Sequence, residues 1–583
     1  MTKHNYIEVY CKAQSTKHKV PSTKPQASST TAGFNFTDIA KAAGLIEPTI
    51  YGGVEKKRYI IETNGCGVAF FDFDNDGWLD VFMLNGSRLE SFPKGNEPTS
   101  KLYRNNRNGS FTDVTAKAGL ARTGFASAIC VGDFDNDGFD DLFTTYWGQN
   151  VLYRNNRNGS FTDVTEKAGV AIRGTRWGSG CTFIDYDRDG DVDLFVANYL
   201  IFDLATAPEP GKGANCFWKG VPINCGPKGL PTDTNLLYRN NGNGTFTDVS
   251  ESSNINKVVN RYAMTAVVTD FNNDGWSDIY VACDSTASIL YRNNKDGTFT
   301  DVALETGSAF NEDGQAQAGM GVGLGDYNND GLPDIFKTHF ADDLPVLYKN
   351  SGRGFFEDAS RLAGFDHTPY VQWGTGLIDF DNDGWSDILT VTGNVYPEIE
   401  KVFKEYPHQT PRLIYRNLGN GRFQDVTKLS GTAINEPHSS RGCAFADFDN
   451  DGDVDVLIMN MNAAPTLLRN EYNTVGKPGV NNWLTIKLIG TRSNRSAIGS
   501  QVRLKTGGRV QLQEVTSQAS YYSTNDLRVH YGLGANTKAD EVEIRWTNGQ
   551  TEIFKNLNAN QIVKIKEGDS LLKSKKAKVK RQK

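Results

Sequence analysis

Short runs in which apolar and polar residues alternate fill most of the chain, and four kinds of run recur in one order. The first is small and apolar: GVAFF, GCTFI, GVGLG, GTGLI and GCAFA begin at Gly67, Gly180, Gly321, Gly374 and Gly442. The second is bulkier, as in VFMLN, LFTTY, LFVAN, IYVAC, IFKTH, ILTVT and VLIMN. The third and fourth flank an Asn/Gly turn: LYRNNRNGSFTDV, from Leu102 to Val114, recurs at 152–164, 237–249 and 290–302, and more loosely at 347–359 and 414–426. Short apolar runs bounded by turn residues predict strands, and the Asn-Gly turn predicts a hairpin. Seven units of four antiparallel strands, spaced 52 to 85 residues apart, predict an all-β, seven-bladed β-propeller over residues 33–470.

The ends of the repeat are out of phase. The first unit opens with Phe36-Thr-Asp-Ile39 and no LYRN-type strand before it, while the last stops at Leu467-Leu-Arg-Asn470 with no FTDV-type strand after it. These two orphans are expected to pair and close the ring, which removes a free sheet edge.

Between the first and second strands of every unit lies a nine-residue acidic loop. Numbered 1 to 7, the loops carry at positions 1, 3, 5, 7 and 9 the following residues. Loop 1 has Asp72, Asp74, Asp76, Trp78 and Asp80; loop 2 has Asp133, Asp135, Asp137, Phe139 and Asp141; loop 3 has Asp185, Asp187, Asp189, Asp191 and Asp193. Loop 4 has Asp270, Asn272, Asp274, Trp276 and Asp278; loop 5 has Asp326, Asn328, Asp330, Leu332 and Asp334. Loop 6 has Asp379, Asp381, Asp383, Trp385 and Asp387, and loop 7 has Asp447, Asp449, Asp451, Asp453 and Asp455. Position 6 is always Gly, which permits a sharp turn. Side-chain oxygens at 1, 3, 5 and 9 with a backbone carbonyl at 7 form a hard-oxygen cage, and its size and flexibility suit Ca2+ better than Mg2+. Asp-Gly and Asn-Gly are also ordinary turn signals, but a turn does not require Asp at 1, 5 and 9 seven times over. Up to seven calcium ions, one per blade, are expected, with loops 4 and 5 the weakest because Asn replaces Asp at position 3.

Charge fits that reading. The formal net charge is −7, yet 26 of the 69 acidic residues are loop ligands, and the 43 others face 62 Lys and Arg. No nucleic-acid-binding motif or concentrated basic face accompanies that balance, so a nucleic-acid partner is not indicated. No apolar run approaches the length of about 18 residues needed to cross a bilayer.

Strand order sends the acidic loops and the Asn-Gly turns to one face of the propeller and the long excursions at about 85–101, 199–235 and 393–413 to the other. Elaborated loops on a rigid scaffold carry function, so the ligand face is expected opposite the calcium loops. The residues expected around that channel mouth are Arg176, Trp177, Tyr199, Arg261, Tyr262, His339, Gln372, Trp373, Tyr396 and Arg441, a set of cations and aromatics suited to an anionic or aromatic ligand. HExxH, GxSxG, Walker and Rossmann signatures are absent, and no catalytic residue is assigned. Two readings follow. One is a monomeric, calcium-stabilised binding protein for a protein, glycan or small molecule. The other is an enzyme of specialised metabolism that alkylates or cyclises a hydrophobic or aromatic substrate at the channel mouth.

The remainder of the chain is different. Residues 1–32 are rich in Ser, Thr and Lys without an apolar signal core, so a disordered leader and, as written, a cytoplasmic protein are expected. Residues 471–481 read as a linker, 482–567 as a small β-sandwich of seven strands, and 568–583 as a basic disordered tail. Cys130, Cys181 and Cys443 precede acidic loops and read as inert buried thiols. Cys216 and Cys225 sit in a Gly/Pro-rich insertion and leave two readings open, a local disulfide and a paired metal site.

The chain resembles the cartilage acidic protein family, an FG-GAP/VCBS-type propeller followed by an ASPIC/UnbV domain. The resemblance spans residues 34–567 and rests on the DxDxDG loops, the LYRNN…FTDV hairpins, CFWKGVPINCGPKGLP at 216–231, SNRSAIGSQV at 493–502, YGLG at 531–534 and WTNG at 546–549. It implies a calcium-bound propeller like that of integrin α-subunits, in a binding or matrix protein that is commonly extracytoplasmic. Two features depart from the family's pattern: no apolar signal core is read in residues 1–32, and Asn394 stands in Gly393-Asn394-Val395-Tyr396-Pro397 where members often have His. Asn carries no proton, so the resemblance implies no acid/base role at 394.

Overall fold

The four recurring runs become the four strands of each blade. In the computed structural model, which describes residues 33–90, 92–472 and 480–569, blade 1 consists of Val68–Phe71, Asp80–Met83, Lys101–Asn105 and Phe111–Asp113, hydrogen-bonded in that order. Five further sheets repeat the order, with inner strands Ala126–Gly132, Gly178–Ile184, Ala263–Thr269, Val322–Gly325 and Gln372–Ile378. The seventh blade is assembled from both ends of the repeat: Ser440–Ala446, Asp455–Asn460 and Thr466–Asn470 are joined by Phe36–Asp38. Phe36 lies opposite Asn470 and Asp38 opposite Leu468. The expected leader at 1–32, most of the linker and the basic tail from 570 lie outside the described residues.

The blades are tied to one another by a residue whose role the repeat pattern does not announce. The last residue of each third strand is Asn, and its amide donates to the position-2 carbonyl of the preceding blade's acidic loop. Asn155 donates to Phe73, Asn240 to Phe134, Asn293 to Tyr186, Asn350 to Phe271, Asn417 to Tyr327 and Asn470 to Phe380, and Asn105 closes the ring onto Phe448, all at 2.7 to 3.0 Å. Buried amides with two fixed partners cannot slip register without losing a bond that water is not there to replace.

Seven strands follow in two sheets. One is ordered Val529–Gly534, Asn482–Ile489, Ile562–Lys566; the other is Arg509–Glu514, Gln501–Thr506, Lys538–Arg545, Thr551–Asn558. Val542, Ile544 and Trp546 are buried while Glu541, Glu543 and Arg545 alternate with them, as period two requires.

These sheets sit on the acidic-loop face of the propeller. Arg509 Nη1 donates to the Asp383 carbonyl at 2.6 Å, Arg528 Nη2 to the Asp447 carbonyl at 2.8 Å, Thr547 Oγ1 to Asp185 Oδ2 at 2.8 Å, and Ser496 Oγ accepts from Asp133 N at 2.9 Å. From them the segment 517–526 enters the channel and bonds to the inner strand of every blade. Ser523 Oγ accepts from Val68 N, the Tyr522 carbonyl from Ile129 N, and Gln518 Oε1 from both Cys181 N and Ala266 N. The Ser520 carbonyl and hydroxyl accept from Val322 N and Thr375 N, and Asn525 Oδ1 accepts from Phe445 N.

The plug and the neighbouring inner strands together explain the small residues of the inner strands. A Cβ on Gly67 would lie 1.7 Å from the Tyr522 carbonyl oxygen, and one on Gly321 2.0 Å from the Trp373 carbonyl oxygen. Close backbone approach, not turn geometry, is what these glycines serve.

Candidate functional site

Each acidic loop is built by its own carboxylates before any ligand is considered. In loop 1 the Asp72 carboxylate accepts from the N–H groups of Asp76 and Gly77, both at 2.9 Å. Asp80 accepts from Phe73 N at 3.1 Å and Asn105 N at 2.8 Å, and Asp76 Oδ1 accepts from Trp78 N at 2.9 Å. Position 4, which no ligand scheme uses, is left-handed in all seven loops, at φ 54 to 61° for Asn75, Asn136, Arg188, Asn273, Asn329, Asn382 and Asn450. Asn tolerates that conformation, and it brings a second benefit. Asn75, Asn136, Asn329, Asn382 and Asn450 each donate to the position-6 carbonyl of the next loop round the ring, at 2.7 to 3.2 Å. The visible signal was Asn at position 4 in six of seven loops.

What the scaffold leaves over is a set of converging oxygens. Carboxylate oxygens of Asp72, Asp74 and Asp80 lie within 4.8 Å of one another, as do those of Asp133, Asp135 and Asp141, of Asp379, Asp381 and Asp387, and of Asp447, Asp449 and Asp455. In loop 3 the corresponding group is Asp185, Asp187 and Asp189. Asp74 Oδ1, Asp135 Oδ1, Asp185 Oδ1, Asp381 Oδ1 and Asp449 Oδ1 are buried without a hydrogen-bond partner. Burial first, and neighbouring carboxylates second, push Asp80 and Asp447 up to about 8 and Asp133 to about 7. Desolvated, mutually repelling oxygens with free lone pairs fit a hard divalent cation.

Loops 4 and 5 are different among the described residues. Asn272 and Asn328 stand at position 3, and in loop 4 the Arg545 guanidinium from the C-terminal sheet is bonded to Asp270. The position-5 carboxylates also have basic company from the hairpin turns: Asp76 pairs with Arg107 and Asp137 with Arg157, both at 2.7 Å, and Asp274 with Lys295 at 3.1 Å.

The inner strands start at the opposite end of the channel, where a cavity of about 450 Å³ lies beneath the 199–235 excursion. A disulfide joins Cys216 to Cys225, which decides between the two readings of that pair. It staples a short hairpin, Phe217–Trp218 with Val221–Pro222, whose tip reaches across to blades 5 and 6. There Trp218 packs on Tyr406, Phe340 and Tyr396 at centroid distances of 4.9, 5.6 and 6.3 Å, and Lys219 pairs with Asp342 at 2.9 Å.

Of the ten residues expected at this mouth, Tyr199, Trp373 and Tyr396 line the cavity. Trp177 is fully buried behind Tyr199 and donates to Ser127 Oγ at 3.1 Å. Tyr262 donates to the Leu230 carbonyl at 2.8 Å and so anchors the excursion. Arg176 is turned to Asp233 and the Thr234 carbonyl, Arg261 to its own backbone neighbours, and Arg441 lies buried 4.0 Å over the Trp373 ring with Nε on the Thr63 carbonyl. His339 and Gln372 are fully buried. The charged groups that do line the cavity are Asp284, Asp343 and Lys228, so it is not the cationic pocket expected from the sequence.

Comparison with known proteins agrees with this architecture. The FG-GAP-like repeat family matches residues 72–144, 133–196, 229–281, 270–336 and 408–458, and the ASPIC and UnbV family matches 490–572. Cartilage acidic protein 1 of Xenopus tropicalis is 26% identical over 510 residues, 83% of this chain and 70% of that one; the Mus musculus protein is 23% identical over 507 residues with the same shares. Over most of its length the chain is similar to the cartilage acidic proteins, and it carries FG-GAP-like repeats followed by an ASPIC and UnbV domain. Among solved structures, a Burkholderia pseudomallei lectin aligns over 70% of this chain and 96% of its own at 9% identity, with a TM-score of 0.39, too slight a likeness to bear on function. No helix among the described residues is long and apolar enough to cross a membrane. This chain keeps Asn394 buried, with Oδ1 accepting from Tyr396 N at 3.1 Å.

Burial also sets a pH dependence. His530 is hydrogen-bonded to Thr485 and Asn382 at the seam between the C-terminal sheets and loop 6, and desolvation lowers it to about 3; His339 is likewise held well below its usual range by burial. The unfolded chain protonates these imidazoles near 6.5 while the folded protein does not, so stability is fully present above that pH and is lost as pH falls towards the folded values. The unfolding midpoint, measured with saturating calcium, is expected to drop steadily from pH 7 to 5, and H530Q to flatten the slope by up to roughly 1.4 kcal/mol per pH unit.

Proposed function

We propose that this chain is a calcium-stabilised binding protein whose ligand is taken at the channel mouth opposite the acidic loops. The observation that carries the reading is the cavity itself: it is concave, aromatic-walled and roofed by a disulfide-stapled excursion, at the end of the channel the C-terminal sheets leave uncovered. Calcium would be held in loops 1, 2, 3, 6 and 7 by the converging carboxylates, with Asp74, Asp135, Asp381 and Asp449 supplying oxygens that have no other partner. Loops 4 and 5 would bind more weakly. The ion supplies positive charge to a carboxylate cluster; it performs no step at the mouth, which lies at the other end of the channel. An extracytoplasmic location suits both a persistent disulfide and millimolar calcium. The enzymatic reading loses ground because Arg176 is committed to Asp233 and His339 is sealed in the core.

The test is a thermal-shift screen of small molecules, glycans and peptides against the wild type and W218A. A ligand that raises the midpoint of the wild type and not of W218A supports the reading. Ligands that shift both alike, or a substrate that is turned over, would count against it.

A further inference from the structure

The mouth cavity contains unspent hydrogen-bonding groups, and their chemistry is specific. Asn64 and Gln317 both line it and are 3% and 6% exposed. Asn64 Oδ1 accepts from Thr63 Oγ1 and Gln317 Nε2 donates to the Leu344 carbonyl, but Asn64 Nδ2 and Gln317 Oε1 have no protein partner. Leaving a buried amide donor or acceptor unsatisfied costs about 1–3 kcal/mol, which a ligand that bonds it recovers.

Charge is already accounted for. Asp284, deep in the cavity, accepts from Tyr199 Oη at 2.6 Å on one oxygen and from Ser285 Oγ at 2.8 Å on the other. Burial raises its pKa and also that of Asp343, the other carboxylate lining the cavity, so both are poor counter-ions for a cation. The arginines expected to recruit an anion are spent elsewhere, and Lys228 is exposed. The free groups are therefore neutral and of both kinds, one donor and one acceptor. The walls around them are the rings of Trp218, Phe340, Tyr396 and Trp373.

We infer that the cavity takes a neutral saccharide. A hydroxyl both donates and accepts, so one polyol satisfies Asn64 Nδ2 and Gln317 Oε1 together, while the C–H faces of a pyranose lie against aromatic rings. The volume of about 450 Å³ falls within the usual range for small-ligand sites and leaves room for a short oligosaccharide end, not a polymer face. This rests on the proposal above that the mouth is the ligand site.

The experiment is titration of the calcium-loaded, full-length protein, followed by tryptophan fluorescence and calorimetry. The probes are methyl glycosides of neutral hexoses and N-acetylhexosamines, then a glycan array, with glucuronate and tetramethylammonium as charged probes. Saturable binding of a neutral sugar is expected, weakened about tenfold or more in N64A and in Q317A, with unfolding midpoints within about 2 °C of wild type. W218A, on the exposed excursion, removes one wall without touching the amides and should also weaken binding. Tetramethylammonium binding in place of neutral sugars, lost in W218A, overturns the saccharide assignment, and glucuronate binding in their place overturns its neutrality; either result leaves the mouth as the site. Sugar binding unaffected by all three substitutions overturns the mouth itself, and no binding by any array glycan overturns the saccharide.

Discussion

Stripping divalent cations with EGTA lowers the unfolding midpoint of this protein by at least about 10 °C, and restoring calcium, but not magnesium, recovers it. At calcium concentrations about a hundredfold above a site's dissociation constant, linkage stabilises the folded state by about 2.7 kcal/mol per site. Five such sites together rival the whole stability of a typical domain, about 5–15 kcal/mol. The structure says why the effect should be this large. Position-3 oxygens in four loops have no partner, and position-9 carboxylates such as Asp80 are pushed towards protonation by burial and by the other carboxylates of the same loop. Without a cation the loops must either repel or take up protons, and they are the surface on which Arg509, Arg528, Thr547 and Ser496 seat the C-terminal sheets. D381A, which removes one orphaned oxygen from loop 6, should lose about one site's share. D381A should also bind one calcium fewer by equilibrium dialysis. A melting curve indifferent to EGTA would defeat the calcium assignment.

The second large effect is expected from G67A. An added methyl would sit 1.7 Å from the Tyr522 carbonyl oxygen and 2.4 Å from its carbonyl carbon, both backbone atoms. Neither side can yield cheaply. Gly67 N is bonded to the Ser127 carbonyl at 2.8 Å, and the plug that carries Tyr522 is bonded to all seven inner strands. Overpacking of a side chain costs about 1–3 kcal/mol, and a backbone clash should exceed it. The midpoint should fall by more than about 5 °C, and limited proteolysis should cut in 517–526. G226A is the control, because nothing lies within 4 Å of its added Cβ and its backbone is not left-handed. Equal behaviour of the two variants would mean that the plug does not occupy the channel in solution.

Much of the architecture was legible because local rules repeat. Alternation, the Asn-Gly turn and the acidic loop each act over fewer than fifteen residues, and seven copies let one motif's meaning be checked against six others. Even the long-range pairing of Phe36–Asp38 with Thr466–Asn470 could be read, since an unpaired strand at each end of a closed ring has one partner available. The amide stitches from Asn105 to Asn470 were visible as letters but not as bonds, because their acceptors are carbonyls in the neighbouring blade, and a backbone carbonyl has no sequence signature.

The mouth was the opposite case. Strand order told which residues end near it, but an arginine near a mouth points wherever an acceptor lies. Asp233, the Thr63 carbonyl and the Trp373 ring took Arg176 and Arg441 out of it. The excursion that roofs it could be seen as an insertion, and its landing on Phe340, Tyr396 and Tyr406 could not.

Repetition in the chain thus established the blades, the closure and the acidic loops, since each depends on contacts between residues near in sequence or equivalent by repeat. Tertiary structure alone decided that the C-terminal sheets cover the loops, that residues 517–526 fill the channel, and that Asn64 and Gln317 rather than the expected arginines line the cavity. Those outcomes depend on non-repeating segments meeting once, at distances only the folded ring defines.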